Sequence, residues 1–395
     1  MSKFLFWFSL FVLFYIYIGY GLMLLTMLWI RGLFKRKEKP DVISIEPEVS
    51  LIIAAYNEET FIEKKILNSL DMDYPAGKLR ILVITDGSTD RTPEIISRFP
   101  EVRLLHLPQR QGKVAAVNRA MAMVDTRYVI FTDANSLLNR DCIRKIVDHY
   151  KNPKTGGVAG EKKILSGSPA QQPAGTGESL YWKYESWLKK LDSGFYTVVG
   201  AAGELFSLRA ELFKPLPADT IIEDFVQSLQ ICKAGYVIDY EPDAYASEWG
   251  SASIKEEQKR KIRIAAGAFQ AMGRLRSLFN PFRYPVLSFQ LLSHRISRWT
   301  IGPLLLPLLL ISNAWLVFKG SGLLYELVLL LQILFYTLAL IGWLLAARNT
   351  RIGVFYVPYY FFFMNLSVYM GFFRFLEGGQ TAIWDKAERA PDPTN

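Results

Sequence analysis

The sequence predicts an α/β domain with a mainly parallel sheet, joined to transmembrane and interfacial helices. Two observations carry that prediction. Between Pro47 and about Leu275, short apolar runs alternate with amphipathic stretches of helical period, the pattern of strands crossing over through helices. Outside that block, Phe4 to Ile30 carries no charge, and three more uncharged runs close the chain at Thr300–Phe318, Leu327–Ala347 and Ile352–Phe373. About 20 apolar residues suffice to cross a bilayer.

In chain order, the first run is bulky (Phe, Leu, Tyr, Trp), lacks a small-residue cleavage site and is succeeded by Arg31, Lys35, Arg36, Lys37 and Lys39. It therefore reads as a retained membrane anchor rather than a signal peptide. The basic flank places the next domain in the cytosol. Val49–Ala54 is expected as a buried strand, Thr60–Leu70 as a helix, Leu79–Ile84 as a strand and Thr92–Arg98 as a helix. Val102–His106 is a strand, Val114–Val124 a helix and Tyr128–Phe131 a strand. Gly156–Gly177, rich in Gly, Pro, Ser and Gln, reads as a loop, and Phe225–Ala234 as a helix. Arg283–Trp299 mixes apolar residues with His294, Arg295 and Arg298 and is expected to lie in the membrane interface, the other reading being an amphipathic helix packed on the globular domain. The last run contains Pro358 and sits between Arg351 and Arg374, so it reads either as a span or as a re-entrant element. The chain thus divides into 1–45 (anchor and basic flank), 46–275 (α/β domain), 276–299 (interfacial helix), 300–375 (membrane helices) and 376–395 (tail).

The chain has 395 residues, 51% of them hydrophobic, and a formal net charge of +9. Its basic residues cluster beside apolar runs, which points to anionic lipid and not to nucleic acid. Two cysteines, Cys142 and Cys232, are too few for a disulfide framework. His106, His149 and His294 have no ligand spacing, which argues against zinc.

Three acidic stretches carry the chemistry: Asp86-Gly87-Ser88-Thr89-Asp90, Thr132-Asp133-Ala134-Asn135 and Ile222-Glu223-Asp224-Phe225. The first two each end an apolar strand, where open α/β sheets place their ligands. Asn57 and Glu58, after the first strand, read either as nucleoside contacts or as the N-cap of the next helix. Asp90 reads as a cap for the helix containing Pro93 and Glu94. Gly112-Lys113 lacks the flanking residues of a P-loop.

Taken together, Tyr56-Asn57-Glu58, Asp86-Gly87-Ser88, Gly112-Lys113, Asp133-Ala134-Asn135 and Glu223-Asp224 resemble, in order, the motifs of the family 2 glycosyltransferases. This membrane-associated group includes cellulose, chitin, hyaluronan and poly-N-acetylglucosamine synthases. The resemblance spans residues 46–275 and implies a GT-A fold and inverting transfer from a nucleotide sugar, a UDP-sugar foremost. It assigns Ala55, Tyr56, Glu58, Asp86, Lys113, Asp133, Arg260 and Arg263 to the donor. Asp133 and Asn135 fall to a metal, and Asp224 with Glu223 to catalysis, Asp224 as general base. Oxygen ligands of this kind suit Mg²⁺ or Mn²⁺.

Three departures stand out: Thr85 where relatives carry an aspartate before Asp86, Asn135 for the last aspartate of the metal motif, and Ile264 for a tryptophan after Arg260 and Arg263. Two arginines one helical turn apart can clamp a diphosphate. Gly200-Ala201-Ala202-Gly203 reads either as an open approach for an acceptor or as a tight turn. The implied acceptor is a polysaccharide, with the bilayer as a further partner and the inner membrane as the location. Transfer of a single sugar to a lipid, as in ceramide glucosyltransferases, and a non-catalytic sugar-binding assembly partner are the other readings.

Overall fold

The computed structural model describes residues 1–34, 45–165, 175–250, 253–348, 350 and 352–383. Lys35, Arg36, Lys37, Lys39 and Arg351, which enter the topology argument, lie outside them.

One eight-stranded sheet organises the domain. Its strands are β1 (Val49–Ala55), β2 (Leu79–Asp86), β3 (Val102–Leu107), β4 (Tyr128–Asp133), β5 (Leu137–Leu138), β6 (Thr155–Leu165), β7 (Leu205–Arg209) and β8 (Val237–Trp249), in the order β3-β2-β1-β4-β7-β6-β8-β5. β3, β2, β1 and β4 run parallel, β7 is antiparallel to both β4 and β6, and β6 pairs parallel with β8. The chain winds outward from β1 to β3 and then returns to the other side of β1 for β4. That reversal opens a crevice at the carboxyl ends of β1, β2 and β4. The register sets Ala55 beside Thr85 and Ala54 beside Asp133.

Both faces of the parallel half are covered, which is why β1 is apolar at successive positions rather than at alternate ones. Leu51 and Ile53 point into a core under α2 (Ile62–Leu70) and α5 (Cys142–Asp148). Ile52 points the other way, toward α4 (Lys113–Met121), α7 (Glu223–Lys233) and α8 (Ile254–Arg274). The short α3 (Thr92–Ile96) precedes β3.

The loop expected at Gly156–Gly177 is corrected at both ends, and its middle, 166–174, lies outside the described residues. Residues Thr155–Leu165 form β6, and α6 begins at Gly175 and runs to Phe195. The glycines mislead because they are there for packing. A Cβ on Gly157 would lie 2.7 Å from the Ser207 carbonyl oxygen, and one on Gly160 would lie 2.5 Å from Leu205. Here glycine marks close approach in a crowded sheet rather than a turn.

Among the described residues three helices are long and apolar enough to cross a membrane: α1 (Ser2–Phe34), α10 (Ile301–Phe318) and α11 (Leu323–Ala347). α1 packs on α10 through Phe6, Leu13, Leu305 and Leu309, and lower down sets Tyr20 and Leu24 against Leu188 and Leu191 of α6. α9, residues 285–299, is helical as expected, with a π-helical stretch at Leu291–Ile296. Its basic residues engage protein: Arg295 and Arg298 both reach Glu185, and His294 Nδ1 lies 2.5 Å from Asp192. α12 (Gly353–Leu376) lies on α8, where a Cβ on Gly371 would come within 2.4 Å of Ala265.

Candidate active site

The candidate cleft is built from three strand ends. Ala54, Ala55, Tyr56 and Glu58 at the end of β1, Asp86 at the end of β2, and Asp133, Ala134 and Asn135 at the end of β4 line it, together with Arg110, Gly112 and Lys113. Asn57 turns the chain out of β1 in the left-handed region, φ 53°, which asparagine tolerates better than most residues. Its side-chain oxygen accepts from the Thr89 amide at 2.8 Å, and its own amide donates to Ser88 Oγ at 3.1 Å. Asn57 thus ties the first loop to the second instead of capping α2. Asp90 accepts from the Thr92 amide at 3.0 Å and from the Glu59 amide at 3.1 Å, one residue before the Arg91 N-cap of α3.

Asp86 is buried, and its carboxylate organises the loop before α4. It accepts from the amides of Gln111 (2.9 Å) and Gly112 (2.6 Å) and from Arg119 (3.0 Å). Gly112 has φ 94° and Gly87 φ 71°. A Cβ at Gly87 would sit 2.5 Å from Arg110, so that close crossing requires glycine. Arg110 lays its guanidinium 3.7 Å from the centre of the Tyr56 ring, a cation–π contact at the cleft wall. Thr85, where relatives carry an aspartate, hydrogen-bonds His106 Nδ1 at 2.7 Å.

Lys113 joins the two sides of the site. Its Nζ donates to Asp133 Oδ1 at 2.8 Å and lies 3.0 Å from Glu223 Oε1. Burial disfavours this ammonium, but Asp133, Glu223 and Asp224 outweigh burial and hold its pKa well above the usual lysine value. The neighbouring carboxylates separate. Burial raises both, yet Lys113 brings Glu223 below the usual range, whereas burial and then the Glu223 charge push Asp224 up to about 7. A pair with divergent pKa values is the arrangement acid–base chemistry needs. Glu223 and Asp224 open α7, and Gly203 lets the backbone pass close by. A Cβ there would be 3.3 Å from both Asp224 Oδ2 and Lys113 Nζ. Gly200, φ 96°, makes the turn beneath Phe225. The Gly200–Gly203 stretch is therefore a tight turn packed against Phe225, Asp224 and Lys113.

Of the two arginines on α8, Arg263 feels Glu223, Asp224 and Asp133, though burial wins and lowers its pKa. Arg260 points elsewhere, 3.7 Å from Glu248, into a buried cluster where Lys162 bridges Glu204 at 2.5 Å and Glu248.

Among the described residues no three His, Cys, Asp or Glu side chains form a metal cluster. A smaller oxygen set is present. Asn135 Oδ1 is buried and has no hydrogen-bond partner among the described residues, next to the anionic Asp133. An unmatched buried acceptor costs about 1–3 kcal/mol. A hard cation that takes its other ligands from diphosphate and water relieves that cost, so the residues fit Mg²⁺ or Mn²⁺.

Sequence reading missed Arg110, Arg119, Lys65 and the cleft-lining Ala382 and Ile383. Lys65 is wholly buried behind the Asp133 loop, with burial lowering its pKa to about 7. Arg110 had a signal, lying two residues before Gly112. The others depend on packing across long sequence separations and leave no local trace.

Comparison with known proteins agrees with this geometry. The family described as Glycosyl transferase family 2 matches residues 50–216. A poly-beta-1,6-N-acetyl-D-glucosamine synthase of Staphylococcus epidermidis is 27% identical over 286 residues, 68% of this chain and 68% of that protein. The same-named protein of Staphylococcus aureus (strain COL) is 27% identical over 263 residues, 63% of this chain and 61% of that protein. The structure of the mannosyltransferase PcManGT from Pyrobaculum calidifontis, in complex with GDP-Man and Mn²⁺, shares the fold. Its TM-score is 0.68 at 22% identity, covering 93% of this chain and 99% of that one.

Proposed function

This chain is a family 2 glycosyltransferase with a GT-A fold, and we propose that it inverts the sugar of a nucleotide-sugar donor, a UDP-sugar, onto a growing polysaccharide at a membrane. One observation carries the reading: Lys113 bridges Asp133 on the donor side to Glu223 on the acceptor side, with Asp224 poised near neutral pH beside them. The acceptor hydroxyl gives its proton to the Asp224 carboxylate, as a general base whose pKa matches the working pH should allow. The freed oxygen attacks the anomeric carbon. The bond from that carbon to the diphosphate breaks on the opposite face, and its electron pair leaves on the phosphate oxygen. Lys113 and Arg263 offset the charge that develops there. Asp133 and Asn135 would hold Mg²⁺ or Mn²⁺, which supplies Lewis-acid neutralisation of the leaving group. Tyr56, Arg110 and Asp86 shape the nucleoside end, with Ala55 and Glu58 at its floor. Arg260, which faces Glu248 in the buried ion cluster, stands behind Arg263 on the same helix.

The Staphylococcus relatives support a polymer product, and the GDP-Man and Mn²⁺ complex of the structural neighbour supports a nucleotide sugar and a divalent cation. The decisive experiment offers the purified protein in lipid a panel of radiolabelled nucleotide sugars and sizes the product. Lengthening chains support the reading. A single sugar on a lipid favours the glycolipid alternative, and no incorporation from any donor overturns both. The domain 46–275 faces the cytosol on this reading. Since Cys142 and Cys232 are buried, a cysteine placed at exposed Glu101 should react with an impermeant maleimide only after lysis. Labelling of intact cells would contradict that topology.

A further inference from the structure

Lys65 is one of the largest fully buried side chains in the molecule, 0% exposed, and the proposed mechanism does not use it. It projects from α2 to the back of the Asp133 loop. Its Nζ donates to Thr132 Oγ1 at 3.0 Å and to the Ser136 carbonyl oxygen at 2.7 Å. Those two contacts fall just before Asp133 and just after Asn135. One helical turn later on the same face of α2, Asn68 makes a reciprocal pair with Leu138: Nδ2 donates to its carbonyl at 2.9 Å, and Oδ1 accepts from its amide at 2.8 Å. Ser136 Oγ closes the loop on itself by donating to the Asp133 carbonyl at 3.0 Å.

A fully buried lysine is expensive, and an apolar side chain of the same length would pack α2 against the sheet at lower cost. What an apolar side chain lacks is a donor that pins both ends of a three-residue loop. We infer that Lys65, seconded by Asn68, is a positioning residue that fixes Asp133 and the unmatched Asn135 oxygen in cation-binding geometry from behind. The inference rests on the proposal that Asp133 and Asn135 hold the divalent cation. Outer groups of this kind typically change metal affinity 10–100-fold when removed.

Charge and position make opposite forecasts, which makes the role testable. If Lys65 acted only as a positive charge near the site, removing it would tighten cation binding. If it acts by holding the loop, removing its donors loosens binding although a repulsive charge has gone. The full-length protein in lipid nanodiscs is titrated with Mn²⁺ in the presence of UDP, and free Mn²⁺ is read by electron paramagnetic resonance. Lys65→Met is expected to weaken Mn²⁺ binding 10–100-fold. Lys65→Gln, which keeps a donor but no charge, should stay within about threefold of the parent. UDP binding in EDTA should be unchanged in both. Asn68→Ala, should Lys65→Met not fold, is expected to weaken Mn²⁺ binding by a smaller factor. Unchanged or tighter binding in the Met variant, with or without a lower melting temperature, overturns the positioning role. Absence of Mn²⁺ binding by the parent protein overturns the cation assignment of Asp133 and this inference with it.

Discussion

The two halves of the sheet solve different problems. The parallel half, β3-β2-β1-β4, delivers its functional groups at strand ends, so each loop is a short contiguous motif. The mixed half, β7-β6-β8-β5, contributes a glycine-lined backbone and a buried ion cluster. The helices it carries bring in Glu223, Asp224, Arg260 and Arg263 from distant parts of the chain. In the parallel half Asp86 meets the amides of Gln111 and Gly112 and the Arg119 guanidinium, 25 to 33 residues away in sequence. In the mixed half Lys162, Glu204, Glu248 and Arg260 meet across about 100 residues of sequence. A nucleotide has a fixed shape that a preset crevice can match. An acceptor must be admitted, deprotonated and released, which calls for tuned carboxylates.

If the two halves divide the work in this way, damage to the acceptor side should stop chemistry and spare donor binding. Asp224→Asn keeps the shape and removes the proton acceptor, so turnover should fall by roughly 10²–10⁴. Near-normal turnover in that variant would remove Asp224 from the role. A smaller effect comes from its pKa. Asp224 acts only when deprotonated, and its pKa is raised to about 7. The parent's kcat/KM should therefore fall about tenfold per pH unit below that value and level off above it. Asp224→Asn should lose this slope, and an unchanged profile would assign the titration to another group. The smallest effect tests the scaffold. Gly157→Ala crowds the Ser207 carbonyl between β6 and β7, inside the mixed half. It should cost about 1–3 kcal/mol of stability, seen as a lower unfolding midpoint, with turnover per folded molecule preserved.

The same contrast explains what could be read from the sequence. The parallel strands were legible because buried apolar runs ending in acidic or asparagine-containing loops have a local signature, and β1, β2, β3 and β4 start where expected. β6 was not, because its glycines answer to Ser207, Leu205 and Ile238 on neighbouring strands, none of them near in sequence. Arg295 and Arg298 looked like lipid contacts because nothing local showed that Glu185, over a hundred residues earlier, would engage both. Glu223 and Asp224 were visible as a motif, but their divergent ionisation was not, since it arises from Lys113 and from burial. Nothing in the sequence around Lys65 marks it as buried, and only the fold turns it inward.

The central claim is that Lys113 joins a binding half to a reacting half. Nucleotide affinity and turnover, measured side by side in Asp133→Ala and Asp224→Asn with Mn²⁺ present, test it most directly. Asp133→Ala is expected to lose both UDP affinity and turnover, whereas Asp224→Asn should bind UDP like the parent and fail to turn over. Equal loss of UDP affinity in the two variants would contradict the division and show that the carboxylates act as one site.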